Sequence, residues 1–256
     1  MEKHVVHPDK GTKSGALDRV RRPFSHPRST DMEVAVRHNP GFAVARLQLG
    51  PGEECRAESG AMMATSSGVE VQSKAEGGFM KSLKRSVLSG ESFFMTTFRA
   101  GEAGGFVDCA ARLPGDVTVF DASHGIALTR GSYLCSAASV EIDTSWGGFK
   151  NMWGGEGGFL VRAIGEGPVV AACYGALDTI DVPAGDSFVL DSGHLVGYSE
   201  GMTFTTRKVT KGLVQTMKSG EGLVMDFQGP GRIYAQTRNP TEFINWMTEV
   251  LPFSRD

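Results

Sequence analysis

Apolar and polar residues alternate along short stretches of this chain. Leu47-Gln48-Leu49, Val69-Glu70-Val71-Gln72, Val140-Glu141-Ile142-Asp143 and Ile180-Asp181-Val182 all do so. A period of two is that of a strand with one face buried. Gly and Pro pairs separate these stretches at the spacing expected of a β-sandwich or barrel. Only the C-terminus has a helical period. Asn239 is placed to cap a helix, Pro240 suits its first turn, and Glu242 follows three residues after the cap. Phe243, Ile244, Met247, Val250 and Leu251 then form one apolar stripe, which Pro252 ends. The pattern predicts an all-β body with one short C-terminal helix packed on it.

The turns fall into a threefold series. Pro51-Gly52-Glu53, Pro114-Gly115-Asp116 and Pro183-Ala184-Gly185-Asp186 open it. Each is followed by an acid with small neighbours: Glu58-Ser59-Gly60, Asp121-Ala122-Ser123 and Asp191-Ser192-Gly193. Gly77-Gly78-Phe79, Gly147-Gly148-Phe149 and Lys211-Gly212-Leu213 come next, then Gly90-Glu91, Gly155-Glu156 and Gly220-Glu221. The same order three times predicts three tandem copies of one β unit. The organisation read from it is a basic tail at 1–31, units at 32–112, 113–179 and 180–239, and a helix with its tail at 240–256. A unit of this length buries little surface alone. An open row of three leaves two bare sheet edges, so self-association is expected.

Composition narrows the function classes. Glycine supplies 34 of 256 residues, without a collagen period, which fits many tight turns. The net charge is −3, but residues 1–31 carry seven Lys or Arg and four acids, so the body is more acidic than the whole. An acidic body argues against general nucleic-acid binding. No apolar run is long enough to cross a membrane as a helix, and the first thirty residues have no secretory pattern. Cys55, Cys109, Cys135 and Cys173 form no C-x-x-C pair. Four reduced thiols and a cytoplasmic location are expected.

The series of landmarks then becomes specific. Glu58-Ser59-Gly60-Ala61-Met62-Met63, the Gly-Gly-Phe and Gly-Glu pairs and Asn239-Pro240 resemble the bacterial and archaeal family related to the mitochondrial biogenesis (altered inheritance of mitochondria) protein. The resemblance covers about residues 32–254. It implies three repeats of a short double-stranded β-helix unit like that of the tryptophan RNA-binding attenuation protein, in a pseudo-threefold arrangement. It also implies a homotrimer, a ring of nine units. It implies no catalytic residues, and its mitochondrial branch is associated with inner-membrane organisation.

No motif for catalysis is present. The chain lacks H-E-x-x-H, a G-x-S-x-G elbow and a P-loop. His124 and His194 stand alone and read as ordinary turn or core residues, so no metal and no cofactor are expected. Glu91, Glu156 and Glu221 recur once per unit and read as acceptors for backbone N–H groups in Gly-rich turns. A ring of carboxylates for cations or acid–base work is the other reading. Three segments mix cations with apolar residues. They carry Lys81, Lys84 and Arg85, then Lys150 and Trp153, then Lys218. On one side of a ring they would form a basic, apolar rim suited to anionic lipid or an acidic protein partner. Alternatively their apolar members pack on a neighbouring unit while the cations reach water. The expected function is a non-enzymatic ring-forming scaffold or binding module at a membrane surface. The alternatives are a small-molecule binder or enzyme using clefts between units, and an RNA binder by analogy of fold.

Overall fold

The computed structural model describes residues 32–72, 95–143, 160–208 and 223–251. They hold nineteen strands and one α-helix. The first strand is β1 (Glu33–Arg37). Six follow: β2 (Val44–Leu49), β3 (Glu54–Glu58), β4 (Met62–Thr65), β5 (Val69–Gln72), β6 (Met95–Ala100) and β7 (Gly105–Ala110). Six more are β8 (Val117–Asp121), β9 (Ile126–Thr129), β10 (Tyr133–Ala137), β11 (Val140–Asp143), β12 (Leu160–Gly165) and β13 (Pro168–Ala172). The last six are β14 (Leu177–Val182), β15 (Ser187–Asp191), β16 (Leu195–Ser199), β17 (Thr203–Lys208), β18 (Leu223–Gln228) and β19 (Gly231–Gln236). The helix α1 (Pro240–Val250) ends the described chain. The described residues are therefore all-β with one short C-terminal helix, and no helix among them is long and apolar enough to cross a membrane.

The strands form four antiparallel sheets. The first has the order β1-β2-β7-β4 and the second β5-β6-β3-β10-β13-β8. The third has the order β11-β12-β9-β16-β19-β14 and the fourth β15-β18-β17. β2 pairs β7, β8 pairs β13 and β14 pairs β19. β3, β9 and β15 pair β6, β12 and β18 in the same way. A bulge interrupts the pairing of β4 with β7, of β10 with β13 and of β16 with β19. An extra residue at such a point bends the strand and tightens its twist. Small residues follow each bulge: Ala64, Cys135 and Gly197. At Gly197 the need is steric, because a Cβ there would press on the Ala127 carbonyl oxygen and the Leu128 side chain.

The alternation dictates the packing. On β2, Ala45, Leu47 and Leu49 are buried while Gln48 points to water. These residues join Val107, Cys55, Cys135, Val169 and Val170 in the larger core, between successive sheets. Burying each large aliphatic side chain contributes about 1.5–3 kcal/mol. A second core lies between the third and fourth sheets around Tyr198, Met225, Phe227 and Ile233. There Tyr198 meets Phe227 edge to face at 5.3 Å and Phe204 at 5.6 Å, contacts that add directional attraction to the burial.

The helix forms where the sequence placed it, and for the stated reason. The Asn239 side chain accepts the Thr241 N–H at 2.9 Å, and Pro240 follows in the first turn. Its packing differs from the expectation. Phe243 stacks edge-on against Tyr174 at 5.7 Å, but Ile244, Trp246 and Val250 are exposed. The β body meets the centre of the apolar stripe and leaves its flanks bare.

Candidate functional site

The sequence-derived contact residues Lys81, Lys84, Arg85, Lys150, Trp153 and Lys218 lie outside the described residues. So do the turn carboxylates Glu91, Glu156 and Glu221. The strands that flank these segments are described. β5 and β6, β11 and β12, and β17 and β18 are antiparallel neighbours. In each pair the segment leaves at the end of one strand and returns at the start of the next.

The other titratable groups singled out from the sequence have structural partners. Asp121 accepts the Ser123 N–H at 2.9 Å and Asp191 accepts the Gly193 N–H at 2.8 Å, each capping a one-turn 3-10 helix. The bonds from Ser123 hold the Asp121 carboxyl below the usual carboxylate range. Glu58 differs: burial pushes its carboxyl up, against the pull of Arg112 and Arg130. Arg112 bonds it at 3.2 Å. His194 Nδ1 lies 2.7 Å from the Gln236 carbonyl oxygen, and His124 is exposed on its 3-10 turn. Neither histidine gathers further ligands, and no group of three metal-ligating side chains occurs among the described residues.

All four cysteines are free and buried. Desolvation pushes the Cys55 thiol up to about 12 and the Cys173 thiol up to about 11. The Cys135 thiol also rises, from burial and from the neighbouring Cys109 and Cys55. Thiols held protonated in an apolar core are poor nucleophiles.

One charged cluster was not recognised in the sequence. Asp108 on β7, its side chain 3% exposed, accepts Arg37 Nη2 at 3.1 Å and Arg46 Nη2 at 2.7 Å. Arg46 Nε adds a third bond at 2.8 Å and Arg37 Nη1 a fourth at 3.3 Å. The bonds from Arg46 and then Arg37 hold the carboxyl below its ordinary value. The Arg46 guanidinium also lies 3.7 Å from the centre of the Phe106 ring, a cation–π contact. A signal existed: Asp108 is an acid within the apolar run Phe106-Val107-Asp108-Cys109-Ala110. Buried acids in strands need cationic partners.

Two further features stand at the surface. A shallow cleft of about 390 Å³ is lined by Asp181, Pro183, Ser199, Arg232 and Tyr234. Arg232 Nε donates to Asp181 at 2.6 Å within it. The second feature is a pair of sheet edges. β4 ends the first sheet and β15 ends the fourth, so one side of each strand has no partner within the described residues. Met62 and Met63 on β4 are 42% and 52% exposed, and Val189 on β15 is 45% exposed. Bare strands with apolar side chains are templates for pairing with another chain.

Known proteins bear on this arrangement. Residues 34–238 match the family model described as mitochondrial biogenesis AIM24. An uncharacterised protein of Streptococcus pyogenes serotype M6 is 25% identical over 232 residues, covering 87% of this chain and 92% of its own length. The X-ray crystal structure of a Streptococcus pyogenes protein superposes with a TM-score of 0.73 at 25% identity, over 86% of this chain and 100% of that one. Because the family model spans most of the described β body, from β1 to the residue before the helix cap, the chain belongs to the mitochondrial biogenesis AIM24 family.

Proposed function

We propose that the chain is three copies of a six-strand unit, joined head to tail with two other chains into a closed ring. The ring is a non-catalytic scaffold that works at an anionic membrane surface. The unmatched edges of β4 and β15 carry this reading. Within the chain, β3 is joined by β10 and β9 by β16. β15 is the next strand of the first series, and β4 precedes β10 and β16 in the second. Pairing β15 of one copy with β4 of the next repeats the same seam a third time. The equivalent pairings and the three bulges support the six-strand unit. A head-to-tail contact gives a ring when its rotation closes, and three chains is the number that the family resemblance implies.

The direction of the strands supports a common working surface. The segments with Lys81, Lys84 and Arg85, with Lys150 and Trp153, and with Lys218 all leave from the fourth strand of a unit. In a ring these departures share one rim, where cations beside apolar residues suit anionic headgroups. The four buried free thiols favour a reducing compartment, the cytoplasm.

Native mass measurement on the full chain tests the ring. A species of three times 27.3 kDa is expected, and a monomer overturns the reading. Cosedimentation with phosphatidylserine vesicles tests the surface. Replacing Lys81, Lys84 and Arg85 with Glu should abolish binding. Absence of vesicle binding by the native ring overturns the membrane role.

A second reading rests on the cleft at Arg232. Its ion pair, the Ser199 hydroxyl and Tyr234 would suit a small polar ligand. Thermal stabilisation by one member of a metabolite panel, lost in Arg232→Ala, would favour it.

A further inference from the structure

Stacking inside the chain shows how one sheet covers the next. Phe120 on β8 meets Tyr234 on β19 edge to face, with ring centres 4.6 Å apart. Phe120 pairs with Val169, and Tyr234 stands opposite Gly197, the first paired residue past its bulge. The matching place to Phe120 in the third sheet is Ile180, paired with Ile233. The matching place to Tyr234 in the first sheet is Asp108, opposite Ala64 just past the bulge. If the ring repeats the same stack between chains, Ile180 of one copy lies over Asp108 of the next.

The charges on these two faces are complementary. Asp108 shares its face of the first sheet with Arg37 and Arg46, whose side chains are 33% and 35% exposed. Two guanidinium groups and one carboxylate leave this cluster with one positive charge. Arg46 Nη1 and Arg37 Nε make no bond to Asp108 and retain donors. Asp178 lies two residues before Ile180, so both project from one face of β14. It is exposed and has no ion-pair partner among the described residues. The corresponding strands carry Ala45 and Thr118 there, both uncharged, since Ala45, Thr118 and Asp178 pair with Cys109, Ala171 and Ala235.

We infer that Asp178 of one copy binds the Arg37–Arg46 pair of the next, closing a neutral cluster of two arginines and two aspartates at each junction between chains. This inference rests on the ring proposed above. It assigns a partner-supplied carboxylate to a site that is incomplete in the single chain. The contact distinguishes the junction between chains from the two junctions within a chain, where the equivalent position is uncharged. A face bearing two unneutralised donors matches only the face that carries the acid, which fixes the order of sheets around the ring.

A double-mutant cycle on the full chain tests it, with dissociation of the copies followed by sedimentation at low and high salt. Asp178→Asn should weaken assembly about tenfold at low salt and flatten its salt dependence. In an Arg37→Gln background the same change should cost clearly less, because only the Arg46 donor is then left for Asp178. Arg37 is the variant site because Arg46 then still holds Asp108. Far-UV circular dichroism establishes that each variant is folded. Equal assembly of the native protein and Asp178→Asn at every salt concentration overturns the ion pair while leaving the ring. Additive losses in the cycle also overturn it. A native protein that stays monomeric overturns the ion pair and the ring together.

Discussion

Arg46 grips Asp108 through two parallel hydrogen bonds, Nε to Oδ1 at 2.8 Å and Nη2 to Oδ2 at 2.7 Å. The strands β2 and β7 place them directly opposite in the pairing, so the fork of the guanidinium meets the carboxylate without distortion. Arg37 approaches the same carboxylate from β1, the strand that extends the first sheet beyond β2. One buried acid thus ties three neighbouring strands together.

Removing that acid should be costly. Asp108→Asn leaves two cations facing a group that cannot neutralise them, and about 2–4 kcal/mol should be lost at neutral pH. The folded carboxyl is held below its unfolded value, so its contribution is complete above about pH 4. It fades as pH falls through the lowered folded value. Urea titrations should therefore show a large gap between native protein and variant at pH 7, narrowing in acid. A constant gap would mean that packing, rather than charge, sets the loss.

The core thiols should be silent toward thiol reagents. Burial lifts Cys55 to about 12, so almost no thiolate exists at pH 8. Ellman's reagent should label none of the four cysteines in the folded chain and all four after denaturation. Rapid labelling of the folded chain would show that the sheets separate readily. Cys55→Ala should be tolerated better than Cys55→Asp, because the pocket accepts a small apolar group and not a charge.

The helix cap depends on a second residue across the chain. Asn239 holds the first turn of α1 through the Thr241 N–H. A Cβ at Gly193 would run into the Asn239 side chain. Asn239→Ala should cost about 1 kcal/mol. Gly193→Ala should displace the same cap, and the double variant should lose less than the sum of the two. Amide exchange at Thr241 reads this directly. Additive losses would mean that Gly193 acts on the 3-10 turn and not on the helix.

Much of the architecture was legible in local pattern. Leu47-Gln48-Leu49 and Val140-Glu141-Ile142-Asp143 declared strands because one face of each is buried. Asn239 and Pro240 declared a helix start because capping is a local matter. Other features depend on distant partners. The stripe around Phe243 announced a helix, but nothing local says that Tyr174 meets its centre while Ile244 and Val250 stay exposed. Arg37, Arg46 and Asp108 come together only when three strands align. The edges of β4 and β15 emerge only from the sheet order, since no residue marks a strand as lacking a neighbour. The basic segments were conspicuous by composition, and they lie outside the described residues.

The register of the proposed junction between chains follows from the two seams already made. β10 meets β3 with Cys135 opposite Ala57, Ser136 opposite Arg56 and Ala137 opposite Cys55. β16 meets β9 with Gly197 opposite Leu128, Tyr198 opposite Ala127 and Ser199 opposite Ile126. In each case the first residue of the three follows the bulge, as Ala64 does on β4. On β15, the places of Cys55, Arg56 and Ala57 are taken by Phe188, Val189 and Leu190, through their pairing with β18. The expected register sets Ala64 opposite Leu190 of the next copy and Thr65 opposite Val189. Thr65→Cys combined with Val189→Cys should form a disulfide between copies on mild oxidation, giving a ladder up to three chains on a denaturing gel. Each single variant serves as the control, because the native thiols are buried. Shifting one cysteine to residue 64 or 188 moves its side chain to the opposite face, so the mismatched pairs should stay reduced. Cross-linking that is indifferent to register would mean that the two edges do not form a paired strand seam.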